Sequence, residues 1–215
     1  ISICYTRKNV EAVTDDAFLD KMVDLGVKYA FYFNYMPVGH DADKELIPTP
    51  MQRKYMYYFM KKMRNGKTGK PMFVMDFQDD GEYVGGCIAG GRNYFHVNSN
   101  GDIEPCVFIH YSDSNIRTDT LLDALRKPLF MAYRKGQPFN DNHLRPCPML
   151  ENPEKLRAII KETGAKSTDL IVSEDVETLC ARCDEFSKEW QPVADEIWRT
   201  NKHPKTHTQY YRDSR

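Results

Sequence analysis

The sequence lacks an excess of either charge, because 30 Lys and Arg residues stand against 31 Asp and Glu residues and the formal net charge is −1. A protein that neutralises the phosphates of a nucleic acid needs a clear positive excess, so this balance argues against a general nucleic-acid binder. No apolar run approaches the roughly 18 residues that a membrane-spanning helix needs. No charged segment followed by an apolar one is visible at the start, as a signal peptide would require. These absences favour a cytoplasmic protein.

The motifs of several enzyme classes are missing as well. No Lys-Ser or Lys-Thr pair follows the paired glycines Gly85-Gly86 and Gly90-Gly91, which argues against a phosphate-binding P-loop. Neither an HExxH motif nor a Ser-His-Asp order is found. The chain has 215 residues, of which 41% are hydrophobic and 28% charged, which is typical of a folded protein with one large domain or two small ones.

The first 80 residues alternate between strand and helix patterns. The β-prone run 1–5, the aromatic run 29–35 and the run 72–77 predict three strands. Thr14 is expected to cap the helix after the first strand, and Thr49-Pro50 the helix after the second. Because both connections are longer than about a dozen residues, the strands are expected to be parallel in an α/β sheet.

The segment 81–150 is rich in glycine and proline. The runs 94–98 and 103–108 flank Asn100-Gly101, a dipeptide that favours a β-hairpin with a two-residue turn. Residues 119–126 predict a short helix that stops before a proline, and 136–150 a loop.

The segment 151–215 is predicted to be helical. Asn152-Pro153 and Gly164 have the residue types that begin and end one helix. The last helix is expected to start after Ser173, because apolar residues then recur three and four positions apart, as on a helix packed along one face. The basic tail from Arg199 is expected to fray.

Six cysteines carry the chemistry of this chain. They are Cys4, Cys87, Cys106, Cys147, Cys180 and Cys183. A chain of this size with so few cysteines does not fit a small disulfide-stabilised secreted domain, so free thiols or metal ligands are the favoured interpretation. Cys4 lies within the first predicted strand and is interpreted as a core residue.

The cysteines around the hairpin are candidate metal ligands. Cys87 and Cys106 flank the hairpin, whose turn brings them towards one another, and Cys147 lies in a proline-rich loop. Converging thiolates select iron–sulfur clusters or zinc. Cys180 and Cys183 form a CxxC pair on the last helix, and we prefer Cys183 as the fourth ligand because it lies on the apolar stripe.

Residues 86–106, GCIAGGRNYFHVNSNGDIEPC, resemble the opening of the auxiliary iron–sulfur domain, of SPASM or twitch type, in radical SAM enzymes. Thirteen residues separate Cys87 from Gly101 and four separate Gly101 from Cys106, which fits the spacing of the family motif. Residues 5–9 (YTRKN) and 35–39 (YMPVG) are similar to the regions of the fourth and fifth strands of the radical SAM barrel.

The motif that defines this family, CxxxCxxC, is absent, since no two cysteines have CxxxC spacing. The resemblance therefore implies part of a radical SAM oxidoreductase that is an enzyme as the full-length protein and inactive as this piece alone. Residues 1–80 would be the C-terminal part of an incomplete (β/α) barrel. Residues 81–186 would be the auxiliary cluster domain, and 187–215 the end of the last helix and the tail.

The resemblance also implies cofactors. An auxiliary 4Fe-4S cluster would anchor a substrate or transfer electrons. Its implied ligands are Cys87, Cys106, Cys147 and either Cys183 or Cys180. S-adenosyl-L-methionine would bind the full-length protein near the ends of the fourth and fifth barrel strands, and Thr6 and Met36 are the candidate contacts there.

Two other interpretations stay open. The same cysteines suit a zinc-stabilised binding module, or a thiol protein that holds no metal. The substrate is open, with a peptide or protein as the candidate class, and we expect neither a nucleic acid nor a membrane as partner. An incomplete barrel would also expose a strand edge at residues 1–5, which we expect to self-associate or to be masked by a partner.

Overall fold

A computed structural model describes residues 1–203, which form seven short strands and eight helices. The strands are β1 (Ser2–Tyr5), β2 (Tyr29–Asn34), β3 (Phe73–Asp76), β4 (His96–Val97), β5 (Ile103–Glu104), β6 (Tyr111–Ser112) and β7 (Lys166–Ser167). The helices are α1 (Val10–Thr14), α2 (Asp16–Asp24), α3 (Pro50–Arg64), α4 (Gly81–Val84), α5 (Leu121–Ala124), α6 (Pro128–Gly136), α7 (Pro153–Thr163) and α8 (Val176–Thr200). Residues 204–215 of the predicted tail lie outside this described part.

The first three strands form one parallel sheet in the order β1-β2-β3. Its register pairs Cys4 with Phe33 and Tyr32 with Asp76. The sheet confirms the predicted α/β class and the parallel arrangement. Within residues 1–203, β1 pairs with β2 and with no other strand. No helix of that part of the chain is long and apolar enough to cross a membrane.

The two faces of this sheet differ because side chains alternate along a strand. One face packs on α1, α2 and α3 through buried apolar side chains, among them Ile3, Tyr5, Ala30, Tyr32 and Val74. The opposite face carries aromatic side chains that stay partly exposed, including Tyr29, Phe31 and Phe33. Cys4 lies on this second face and is exposed, so its interpretation as a core residue is wrong.

Local capping explains where the helices of this part begin. Thr49 accepts a hydrogen bond from the backbone N–H of Gln52, whose side chain in turn accepts one from the backbone N–H of Thr49. This reciprocal box starts α3 at Pro50, as predicted. Thr14, by contrast, does not begin a helix: it closes α1, where its hydroxyl donates to the carbonyl of Val10. Asp15 caps α2 instead.

The hairpin is present, but its turn is longer than expected. Strands β4 and β5 pair antiparallel, with Val97 opposite Ile103, so residues 98–102 lie between them and the two-residue turn is wrong. The Asn98 side chain holds this turn by accepting hydrogen bonds from the backbone N–H groups of Asn100 and Asp102. Gly101 has a positive φ of +87°, and a Cβ there would lie 2.9 Å from the Asn115 side chain.

The helices of the C-terminal half agree with the sequence patterns in part. The helix expected at 119–126 is shorter, and Pro128 begins α6, which the sequence analysis did not predict. Helix α7 ends at Gly164, as expected from that residue's freedom to adopt positive φ. Helix α8 begins after Asp175 and continues without a break across the expected boundary between residues 186 and 187.

A buried arginine joins the parallel sheet to the C-terminal half. Arg53 of α3 is fully buried and donates to Asp79 at 2.6 Å and to Glu151 at 3.0 Å. Its guanidinium also lies over the ring of Trp190 in α8, 4.8 Å from the centroid. One side chain thus connects α3, the turn after β3, the loop before α7 and the last helix.

We predict that Arg53→Met destabilises the protein by about 3 kcal/mol or more, because it leaves two carboxylates buried without their cation. The neighbouring Lys54→Ala is the matched control, since Lys54 forms a partly exposed ion pair with Glu196 and its loss should cost about 1 kcal/mol or less. Urea denaturation measures both. Equal losses of stability in the two variants would contradict the prediction that the buried Arg53 network stabilises the fold.

Candidate metal centre

Three cysteines from separate parts of the chain line one cavity. Cys87 follows α4, Cys106 follows β5, and Cys147 lies in the loop before α7. The cavity has a volume of about 110 Å³ and lies at the carboxyl end of β3. Other side chains that line it are largely apolar and include Met36, Phe77, Tyr94, Phe108, Tyr133 and Pro146.

The Cys87 loop is held through its backbone. The side-chain amide of Gln137 donates to the carbonyl oxygens of Cys87 at 3.1 Å and Ala89 at 2.9 Å. The guanidinium of Arg92 donates to the carbonyl oxygen of Cys87 at 2.9 Å and to that of Gly85 at 3.0 Å. These bonds satisfy carbonyl groups that would otherwise lack partners in a segment with little regular structure.

Cys106 is buried at the end of the hairpin, and its sulfur lies 2.7 Å from the hydroxyl oxygen of Tyr94. Its carbonyl accepts a hydrogen bond from the backbone N–H of Ile109, which closes a tight turn after the strand.

Cys147 has the most hydrogen bonds of the three. Its backbone N–H donates to Glu151 at 2.7 Å, and its carbonyl accepts from the side chain of Asn152. Its sulfur accepts from the backbone N–H groups of Met149 and Leu150, both at 3.4 Å. Glu151 is also the ion-pair partner of Arg53, so the buried arginine helps to position the Cys147 loop through Glu151.

Two of the three sulfurs have close polar contacts. The Cys147 sulfur accepts from the backbone N–H of Met149, and the Cys106 sulfur contacts the Tyr94 hydroxyl. The backbone groups of Ala89 and Phe108 lower the pKa of Cys87 and Cys106 respectively, against the effect of burial. Backbone N–H groups directed at sulfur stabilise a thiolate and tune bound iron–sulfur clusters. The donor set and its hydrogen bonds therefore fit an iron–sulfur cluster.

Burial sets the protonation of these cysteines in the absence of a metal. It raises the pKa of Cys87 to about 12, with a smaller contribution from the neighbouring Cys106. Burial also raises the pKa of Cys106, and that of Cys147, where Glu151 adds to the effect. All three are thus thiols near neutral pH, and a bound cation or cluster has to displace their protons.

The three cysteines are not arranged around one ion. Within residues 1–203, no three His, Cys, Asp or Glu side chains form a group that could hold a single metal ion. A lone zinc would need its sulfur ligands at about 2.3 Å from one centre. In a cluster each cysteine binds a different iron, so the ligands surround a wider volume than those of a single ion.

The two cysteines of the CxxC pair lie elsewhere. Cys180 and Cys183 are buried in α8 within the same apolar core as Cys106, but they are not among the residues that line the cavity. Burial raises the pKa of both, that of Cys180 to about 12. Glu151 also contributes to the raised pKa of Cys183, which places Cys183 within electrostatic reach of the residue that contacts Cys147.

The two residues expected near S-adenosylmethionine lie just beyond the carboxyl ends of neighbouring strands. Met36 follows β2, is 6% exposed and lines the cysteine cavity. Thr6 follows β1, where its backbone N–H donates to the side chain of Asn9 at 2.6 Å and its hydroxyl contacts the same oxygen.

Tyrosines and a carboxylate were missed by sequence reasoning at this site. Tyr94 lies inside the cysteine motif, so its position there could have suggested it. Tyr133 belongs to α6, which the sequence patterns did not reveal, and nothing in the sequence connects it to the cysteines. Asp76 ends β3, and one of its oxygens accepts from the backbone N–H groups of Gln78 and Asp79.

Asp76 is fully buried beside the cavity. Burial and, to a smaller extent, the neighbouring Asp79 raise its pKa to about 8 against the opposing effect of Arg53. The carboxyl group is therefore largely protonated at neutral pH in the folded protein. In the unfolded chain it ionises near pH 4, so the folded state holds one more proton between about pH 4 and pH 8.

Comparison with protein families gives a match to part of the chain. Residues 87–149 match the SPASM family, an iron-sulfur cluster-binding domain. The match confirms the expected resemblance to a SPASM domain. It spans the three cavity cysteines and agrees with iron–sulfur as the expected cofactor class. No curated protein matches the sequence.

Two solved structures are similar to this chain at low sequence identity. The structure of native anSMEcpe with bound AdoMet is 14% identical with a TM-score of 0.44, over 94% of this chain and 57% of that one. The structure of native anSMEcpe with bound AdoMet and Cp18Cys peptide is also 14% identical, with a TM-score of 0.42, over 94% of this chain and 58% of that one. This chain therefore spans somewhat more than half the length of those proteins.

We predict that Asp76→Asn changes how stability depends on pH. Because the folded pKa is raised, ionisation opposes folding of the wild type as pH rises from about 4 to 8, by at most about 1.4 kcal/mol per pH unit. The stability of the variant relative to the wild type should therefore increase over this range. Thermal or urea denaturation at several pH values measures the difference, and a constant difference would contradict the prediction.

Proposed function

We propose that this chain is the C-terminal part of a radical SAM enzyme and that Cys87, Cys106 and Cys147 hold an auxiliary 4Fe-4S cluster. The observation that carries the proposal is that three cysteines from three segments line one cavity, where the Cys147 sulfur accepts backbone hydrogen bonds and the Cys106 sulfur contacts the Tyr94 hydroxyl. The match of residues 87–149 to the SPASM family supports the same assignment.

The surroundings of the cysteines suit a cluster that must be protected from water. The cavity is lined largely by apolar side chains, and the Cys87 and Cys147 segments are fixed by hydrogen bonds to their backbone carbonyls. When bound, a cluster of this kind supplies a redox centre or an iron to which a substrate can be anchored. The role of the protein residues is then to orient three thiolates and to exclude solvent around them.

The cavity also borders the parallel sheet, which we interpret as the last part of the radical SAM barrel. Residues at the end of β3 line it together with Met36 after β2. A substrate held there would lie between the cysteines and the carboxyl ends of the strands, where ligands of parallel α/β sheets commonly bind. We retain Met36 and Thr6 as candidate contacts for S-adenosylmethionine, and a peptide or protein as the candidate substrate class.

The candidates for the fourth cluster ligand are the two cysteines of α8. We retain Cys183 as the candidate because Glu151, which contacts Cys147, also affects the Cys183 thiol. Cys180 is the alternative from the same helix. Since the CxxxCxxC motif is absent, we expect this chain alone not to cleave S-adenosylmethionine.

We predict that Cys87→Ser, Cys106→Ser and Cys147→Ser each lose most of the iron and sulfide that the wild-type chain binds after anaerobic reconstitution. The wild type should bind about four irons and four sulfides and absorb broadly in the visible range. Cys4→Ser is the matched control, because Cys4 is exposed, is not among the residues that line the cavity, and should retain full loading. Iron and sulfide analysis measures each variant.

Full loading in all three cavity variants would contradict the proposal. A colourless wild type that binds one zinc per chain would instead favour the zinc module. For the fourth ligand, Cys183→Ser should lower iron content more than Cys180→Ser, and the reverse order would assign Cys180.

A further inference from the structure

Tyr133 is a buried tyrosine whose hydroxyl lacks a partner. It belongs to α6, is 0% exposed, and its oxygen has no hydrogen bond within the described residues 1–203. Burying a hydroxyl without a partner costs about 1–3 kcal/mol. Most buried polar groups of native proteins are paired, so a partner for this hydroxyl is expected in the functional protein.

Tyr133 borders the cysteine cavity, and its hydroxyl lies within electrostatic reach of the three cysteines. Tyr133 lines the same cavity, and after burial itself, the thiols of Cys87, Cys106 and Cys147 are the next causes of its raised pKa, in that order. Tyr94, the other tyrosine of the cavity, already contacts the Cys106 sulfur at 2.7 Å.

The ring of Tyr133 is held in a fixed position. Phe139 packs edge-on against it with ring centroids 5.3 Å apart. Gly90 also lies against the ring, since a Cβ there would come within 2.5 Å of it, and its φ of +64° suits glycine. The chain after Cys87 therefore lies directly on the tyrosine ring, which leaves the hydroxyl little freedom to turn away from the cavity.

We propose that Tyr133 donates a hydrogen bond to a sulfur atom of the cluster site and so raises the reduction potential of the bound cluster. Tyr94 acts in the same way on the Cys106 sulfur. A hydrogen bond to sulfur stabilises the reduced cluster, which carries more negative charge, and this shifts the potential upward. Tyr133 is a tuning residue and takes no part in holding iron. The inference rests on the proposed cluster.

The test is an EPR-monitored redox titration of the reconstituted 215-residue chain. Tyr133→Phe should bind as much iron as the wild type but have a more negative midpoint potential, and Tyr94→Phe should shift it in the same direction. Tyr57→Phe is the matched control: its hydroxyl is also buried and without a partner in the described residues, but Glu82 rather than a cysteine is its main charged neighbour. Its potential should stay at the wild-type value.

A second substitution is expected to shift the midpoint potential in the opposite direction. Replacing Tyr133 by 3-fluorotyrosine retains the ring while making the hydroxyl a stronger donor, and should make the potential more positive. This variant also keeps the test decisive if Tyr133→Phe does not fold.

The outcomes separate the two proposals. A wild-type chain that assembles no cluster refutes the proposed function. Normal cluster assembly with an unchanged potential in both Tyr133 variants overturns the inference about Tyr133 while leaving the cluster in place. Equal shifts in Tyr133→Phe and Tyr57→Phe also overturn it, because they would indicate general loosening of the core.

Discussion

The buried guanidinium of Arg53 is the interaction that joins the parallel sheet to the C-terminal half and holds the Cys147 loop of the cysteine site. It neutralises Asp79 after β3 and Glu151 before α7, and it stacks on Trp190 of α8. Glu151 in turn accepts the backbone N–H of Cys147. A buried cation of this kind is costly to dehydrate, and its two carboxylates and aromatic contact offset that cost. The position of Cys147 is thereby coupled to α3, the helix that packs on the parallel sheet.

The other two cysteines are positioned by local backbone geometry. The Cys87 loop is held by Gln137 and packs on Tyr133, while Cys106 ends the hairpin and turns back at Ile109. These independent supports explain how residues far apart in sequence reach one cavity. Because the site is lined largely by apolar side chains and its thiols are protonated when no metal is bound, its charge balance changes strongly when a cation enters.

The sequence was informative where short-range chemistry decides structure. Thr49-Pro50 located the start of α3, Gly164 the end of α7, and the spacing from Cys87 to Cys106 the cluster segment. It was misleading at two other local features: the Asn98 side chain holds a hairpin turn longer than two residues, and Pro128 begins a helix, which contains Tyr133, instead of only ending the one before it. The burial of Arg53 depends on partners 26 and 98 residues away, which periodicity does not reveal.

The most direct test of this account is a crystal structure of the anaerobically reconstituted chain, with diffraction data collected on both sides of the iron absorption edge. The account predicts anomalous iron density inside the cavity, with the sulfurs of Cys87, Cys106 and Cys147 each bonded to a different iron. Iron density elsewhere, or a single ion bound by all three sulfurs, would contradict it.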